Sequence, residues 1–247
     1  MEFRFAIVIT FTTLCRGCQD RIQFESIHFL RFLSVMLTEQ ITHAGRRIEN
    51  GSFAIIDREA EAHTYTLEQW PIVRRIIHAS ADFEFNGLVR FHPQAVAAGI
   101  TAVVAGRPIV SDVEMIRVGV SRSRLAHFGI DIHQFIGDED VIARAHAGNT
   151  TRAAEAMAKA HGQGLLDGGI IAIGNAPTAL LAVIRLIREE NARPALVIGM
   201  PVGFVSAAES KAALTRVVDT PWIVTEGRKG GSTLVVATLH ALLALSE

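Results

Sequence analysis

Gly169-Ile170-Ile171-Ala172-Ile173-Gly174-Asn175-Ala176-Pro177-Thr178 decides the fold. Four apolar residues between glycines show no polar alternation, so the segment reads as a strand buried on both faces, as strands of a parallel sheet are. The Gly174-Asn175 turn then delivers the chain to Pro177, a residue suited to the first turn of a helix. The same order recurs at Leu196-Val197-Ile198-Gly199, which precedes a helical stretch from Ser206 to Leu214. Working outward, strands are expected at Leu88–Phe91, Pro108–Val110, Ile130–Ile136, Ile170–Ile173, Leu196–Ile198 and Trp222–Thr225. Between them lie helical patterns at Gln94–Ala105, Asp112–Val118, Asp138–Ala160, Pro177–Glu190, Ser206–Leu214 and Ser232–Leu245. Strands alternating with helices predict a doubly wound α/β sandwich, a mainly parallel sheet between two helical layers, in a single domain.

Two further helices come first. One is expected to follow Ser52 as N-cap and to carry Phe53, Ile55 and Ile56. The next opens with Thr66 and Gln69 at capping-box spacing, tolerates Pro71 in its first turn, and has Ile72, Val73, Ile76 and Ile77 on its apolar side. Upstream, residues 1–41 lack clean periodicity of either kind: Phe5–Leu14 is apolar without a convincing cleavage site, and a second apolar patch spans Ile27–Leu37. We expect an N-terminal extension over 1–41, from a start assigned too far upstream, and an organised domain over 42–247.

The 247 residues are 49% hydrophobic and 20% charged, with 20 Gly and 7 Pro, which excludes a disordered or collagen-like chain. Lysine plus arginine (24) nearly balances aspartate plus glutamate (25), so neither a sequence-independent nucleic-acid binder nor a polybasic membrane clamp is expected. Only three of the basic residues are lysines, Lys159, Lys211 and Lys229. Cys15 and Cys18 form one C-x-x-C without a second pair, weak evidence for zinc or redox chemistry. No apolar run reaches the roughly 18 residues of a spanning helix. The ten histidines include no H-x-x-x-H or H-E-x-x-H, so no protein-held metal is expected.

In open parallel sheets, ligands collect at the carboxyl ends of strands. Three glycine-bearing segments belong there: Gly174-Asn175-Ala176-Pro177-Thr178, Gly199-Met200-Pro201-Val202-Gly203-Phe204 and Gly227-Arg228-Lys229-Gly230-Gly231-Ser232. Their backbone N–H groups and the following helix dipoles are suited to carboxylate or phosphate, although any α/β fold also needs glycine at such turns. None matches a dinucleotide, P-loop or hydrolase-elbow motif. Arg75 and His78 share a helix face three residues apart. A neighbouring cation lowers an imidazole pKa from about 6.5, leaving a proton donor once an anionic ligand compensates; the same spacing also fits a surface arginine beside a helix-end histidine. Arg117, Arg122 and Arg124 form either a carboxylate clamp or a solvated turn.

The segments Arg75-Ile-Ile-His78-Ala-Ser, Pro108-Ile-Val-Ser-Asp112-Val-Glu-Met115-Ile-Arg-Val-Gly119, Gly174-Asn-Ala-Pro-Thr-Ala-Leu180, Gly199-Met-Pro-Val-Gly-Phe-Val-Ser-Ala-Ala-Glu-Ser-Lys211 and Gly227-Arg-Lys-Gly-Gly-Ser232 stand together in this order. From about Ile48 to Leu245 the chain thereby resembles the precorrin-8X and cobalt-precorrin-8 methylmutases, corrin-ring isomerases of vitamin B12 synthesis. The resemblance implies a flavodoxin-like cytoplasmic homodimer that moves a methyl group from position 11 to position 12 of the macrocycle without an organic cofactor. It implies His78 as the catalytic histidine and Ser52 and Arg75 as substrate contacts. Arg122, Arg124, Asn175, Gly203 and Gly231 complete the expected set for a tetrapyrrole polycarboxylate. The stretch from His78 to Phe85 is closer to the cobalt branch, in which the metal belongs to the substrate. A non-catalytic corrinoid carrier with the same cleft is the alternative expectation.

Overall fold

The computed structural model describes Gln40 and residues 42–247. The expectations for the N-terminal extension and for Cys15 and Cys18 fall outside these residues, Gln40 apart. A six-stranded sheet, β1 (Val89–Phe91), β2 (Ile109–Ser111), β3 (Ile132–His133), β4 (Ile170–Ile173), β5 (Leu196–Gly199) and β6 (Trp222–Thr225), has the order β1-β6-β5-β4-β2-β3. All pairs are parallel except β1 with β6. Every residue of β2, β4, β5 and β6 is buried, as their unbroken apolar runs require.

Helices cover both faces. Alternate strand residues face two cores: Ile170, Ala172, Leu196, Ile198 and Ile223 join one, while Ile171, Ile173, Val197 and Val224 join the other. The first is completed by α1 (His43–Glu59), α2 (Trp70–Ser80), α3 (Phe85–Leu88), α4 (Ala95–Val104), α5 (Glu114–Gly119), α6 (Arg122–Phe128) and α11 (Ser232–Leu245). The second is completed by α7 (Glu139–Ala147), α8 (Arg152–Gly162), α9 (Pro177–Glu189) and α10 (Ala207–Leu214). This is the doubly wound three-layer sandwich, with an antiparallel edge strand added. Among the described residues no helix is long and apolar enough to cross a membrane.

The expected elements are corrected in several places, among them Leu88, which ends the short helix α3 rather than opening β1. α1 starts at His43, capped by Thr42, whose hydroxyl accepts from Gly45 N–H at 3.0 Å, so Ser52 is not an N-cap. It lies within the helix and bonds back to Ile48 O at 3.0 Å. The expected helix over Asp138–Ala160 is two, because Asn149 turns left-handed at φ 48° and Thr151 caps a new helix through Ala154 N–H. The turn holding Arg122 and Arg124 is helical. Ile130–Ile136 pairs over only Ile132–His133, since β3 is an edge with one neighbour. The capping box of α2 forms as expected: Thr66 N–H bonds Gln69 Oε1 and Gln69 N–H bonds Thr66 Oγ1.

With β1 set aside, the strand order reverses between β2 and β4, the switch point at which doubly wound sheets usually receive ligands. Here the chain fills that point itself. Asp112, fully buried at the end of β2, accepts Gly174 N–H at 3.0 Å on one carboxylate oxygen. Its other oxygen accepts Asn175 and Ala176 N–H at 2.8 and 2.7 Å. Its carboxylate caps α9, which has no side-chain cap of its own at Ala176. Gly174 also lets α11 cross β4: a Cβ there would lie 2.7 Å from Ser232 Cα. Asp112→Ala should lower unfolding free energy by about 3 kcal/mol, because three converging donors lose their acceptor, with Asp112→Asn intermediate; urea denaturation measures both.

Candidate active site

α2 owes its position to polar and aromatic contacts with α1. Asp57 accepts hydrogen bonds from Trp70 Nε1 and Arg74 Nη1, both at 2.8 Å. Phe53 lies under the guanidinium groups of Arg74 and Arg75, 4.6 and 5.4 Å from its ring centre, and meets the His78 ring edge-on at 5.1 Å. On its other side α2 packs against α11, an almost wholly apolar helix.

An open cleft of about 410 Å³ lies where α2, α5 and α11 meet near the carboxyl edge of the sheet. Arg75, His78 and Ala79 supply one wall, and Met115 and Gly119 of α5 another. α11 contributes Ser232, Thr233, Val236, Ala237 and His240, while Gln40 and Glu49 complete the lining. A roomier cavity of about 590 Å³ lies between the entrances to β5 and β6, around Arg188, Arg193 and Arg216. Its lining holds no imidazole, and its one carboxylate, Asp219, is exposed.

Arg75 and Glu49 are both buried and meet at 3.4 Å. The pair keeps a guanidinium in an apolar wall without an uncompensated charge, a cost that would otherwise be several kcal/mol. His78 sits one turn beyond Arg75 and is exposed to the cleft. Its pKa is below the ordinary 6.5, first through desolvation and then through Arg75, while Glu49 pulls the other way. Thus the cation anticipated beside the imidazole is present, but burial outweighs it and a carboxylate opposes it. A second imidazole, His240, accepts Ser121 N–H on Nε2 at 3.0 Å, which leaves its proton on Nδ1. Burial, followed by Arg75 and Arg124, pushes its pKa down to about 4, so it is neutral at physiological pH.

The other expected site residues separate. Arg75 and His78 line the cleft; Ser52 does not. Arg124 forms an ion pair with Glu247 at 2.9 Å, and Arg122 is exposed at the start of α6, neither lining the cleft. The loop N–H groups are also committed. Asn175 N–H belongs to Asp112, Gly203 N–H to Arg228 O at 3.2 Å and Gly231 N–H to Met200 O at 2.8 Å. These glycine-bearing turns therefore do not present those donors to a ligand; they fasten loop to loop. Lys211 adds to the fastening. Fully buried, with its pKa pushed down to about 8 by desolvation, it donates to Lys229 O at 2.7 Å. Lys229 in turn pairs with Asp82, and with Glu84 at 2.8 Å.

Glu49, Thr233 and His240 line the cleft and Phe53 supports Arg75 and His78 from behind, none of them anticipated. Glu49 and Phe53 are four apart on α1, a spacing that placed them on one face, but their partners are distant in sequence. No group of three or more His, Cys, Asp or Glu suited to a metal ion occurs among the described residues.

A sequence profile of the family described as precorrin-8X methylmutase matches residues 47–245. A cobalt-precorrin-8 methylmutase of Leptospira interrogans is 53% identical over 213 residues, 84% of this chain and 97% of the relative. One from Priestia megaterium is 50% identical over 207 residues, covering 84% of this chain and 91% of the relative. A crystal structure of precorrin-8X methylmutase from Thermus thermophilus superposes with a TM-score of 0.77 at 54% identity, covering 82% of this chain and 96% of that one. These likenesses give no support to a non-catalytic carrier. Coverage is near complete on the relatives' side, and the sheet, cleft and profile describe the same stretch: the chain belongs to the precorrin-8X methylmutase family, methyl-shifting isomerases of cobalamin biosynthesis.

Proposed function

We propose that this enzyme moves the methyl group at position 11 of cobalt-precorrin-8 to position 12, with His78 as general acid and Arg75 as a substrate contact. The observation that carries this reading is an exposed imidazole, one turn from a buried guanidinium, in an open cleft. The reaction is an isomerisation: one carbon–methyl bond breaks, another forms, and no electrons are gained or lost. It therefore needs no redox partner or organic cofactor, and cobalt in this reading is part of the substrate. The cobalt-bearing form is favoured by the names of the relatives from Leptospira interrogans and Priestia megaterium.

His78 protonates the conjugated ring system, drawing electron density toward the protonated atom and away from the carbon that receives the methyl group, and recovers the proton when the new bond has formed. A positioned acid of this kind contributes about 10²–10⁴ in rate. Its depressed pKa keeps the ring neutral in the free enzyme at pH 7. A bound polycarboxylate reverses that bias by adding negative charge near the imidazole. Arg75 meets the same carboxylate-rich ligand with a charge-assisted donor, and the apolar wall of Met115, Val236 and Ala237 faces the macrocycle. Exclusion of water and fixed orientation supply the remaining acceleration.

The cleft is open on its outer side, and the loop after β5 exposes Val202, Phe204 and Val205. We assign this surface to a second copy of the chain in a cytoplasmic homodimer. Ser52, Arg122 and Asn175, which have exposed or half-exposed side chains outside the lining of the cleft, are proposed to reach substrate only from its periphery. Light scattering of the purified protein should give twice the chain mass.

His78→Gln should still bind the corrinoid product, seen in its visible spectrum, while turnover falls by about 10²–10⁴; full turnover by that variant would remove His78 from the mechanism. Since the acid form of His78 is the active one, kcat/KM of the wild type should rise as pH falls and level off below pH 6.5, the level being reached under the depressed pKa. Glu49 raises that pKa, so Glu49→Gln should move the limb to still lower pH. Initial rates across pH 5–8 distinguish the two profiles.

A further inference from the structure

We infer that the first turn of α11 is a carboxylate seat, in which Ser232 Oγ and the N–H groups of Ser232 and Thr233 hold one acidic side chain of the tetrapyrrole. This rests on the methylmutase reading and adds to it a second anchor, separate from Arg75 and His78. Ser232 is only 9% exposed and lines the cleft, and its Oγ has no hydrogen-bond partner among the described residues. A buried hydroxyl left unpaired is costly, and the cost is recovered when an acceptor arrives.

The surroundings specify that acceptor. α11 runs for 14 residues from Ser232, has no acidic residue in its first turn and no side-chain cap at Gly231. Its ladder begins with Leu234 N–H to Gly231 O at 3.1 Å, so the two preceding N–H groups lie ahead of it. The positive end of the helix dipole and a hydroxyl donor thus meet at one point of the cleft wall. α9 shows what that arrangement takes when the chain provides it: its N-terminus is filled by the Asp112 carboxylate. At α11 no side chain among the described residues performs that service.

The turn is also held rigidly enough to act as a seat. Gly231 N–H is tied to Met200 O, Lys211 anchors Lys229 O from beneath, and Ser232 Cα rests against Gly174. Neither Gly231 nor Gly203 supplies the donors, whose N–H groups are spent on these ties. The anion-binding capacity of the loop lies one and two residues further on. A tetrapyrrole carrying several carboxylates would span from Ser232 to Arg75 across the cleft, fixing the ring over His78.

The test uses the full-length protein, the corrinoid product as probe and visible absorbance as readout. Ser232→Ala should bind the product roughly tenfold more weakly, as expected for a lost bond to a charged group. KM should rise by a similar factor with kcat retained, because the anchor is remote from the reacting carbons. Ligand-free Ser232→Ala should melt at or above the wild-type temperature, since an unpaired buried hydroxyl has been removed. Ser232→Asp should lose more affinity than the alanine variant, because its own carboxylate occupies the seat. Wild-type affinity in Ser232→Ala, or an affinity loss accompanied by a lower melting temperature of the free protein, overturns the seat alone if the wild type converts substrate. A wild type that neither binds nor converts the tetrapyrrole overturns the methylmutase reading and this one together.

Discussion

The carboxylate of Asp112, closed over by the N–H groups of Gly174, Asn175 and Ala176, is the constraint on which the rest of the molecule depends. It sits where β2 and β4 diverge, the position at which an open parallel sheet offers helix N-termini to an incoming anion. An internal carboxylate there satisfies the donors permanently. Burial raises its pKa while the three N–H bonds oppose that rise, so the charge is tolerated only because its acceptor positions are matched. The usual crevice of the fold is thereby sealed. The adjoining cleft, where α2 and α5 face α11, is where we propose that the ligand chemistry takes place.

That displacement explains the construction of the cleft. Its floor is apolar helix rather than strand ends, which suits a large conjugated ring better than a phosphate. Its polar groups come singly and each has a defined state. Arg75 is compensated by Glu49, His240 is held neutral by burial with its tautomer fixed by Ser121 N–H, and His78 is left exposed with its pKa lowered from the ordinary value by desolvation. In the mechanism proposed above His78 is the group that changes protonation, while its neighbours supply charge and donors.

The loops at the carboxyl edge form a second system of constraints. Gly203 to Arg228, Gly231 to Met200, Lys211 to Lys229 and Lys229 to Asp82 join segments from β5, β6, α10 and the end of α2. Glycines that in isolation resemble anion-binding turns are used here for close backbone approach. The same economy of contacts places Ser232 at the cleft wall with its hydroxyl unmatched.

What the sequence determined by itself was local. Ile170–Ile173 and Trp222–Thr225 are legible to the residue because a dense apolar run with a breaker at each end has one low-energy solution inside a parallel sheet. The capping box of Thr66 and Gln69 is legible for the same reason, its partners being three residues apart. The family resemblance rested on whole blocks, so it pointed to Arg75 and His78, which line one cleft, without needing their surroundings. Tertiary structure alone decided the pairings that cross the chain: Asp112 reaches 62 to 64 residues forward, and Arg75 meets Glu49 from 26 residues away. A backbone donor carries no sequence signature of its own. Whether Gly231 faces a ligand or Met200, and whether Asp112 is a catalyst or a cap, is settled only when packing brings the acceptor to the donor.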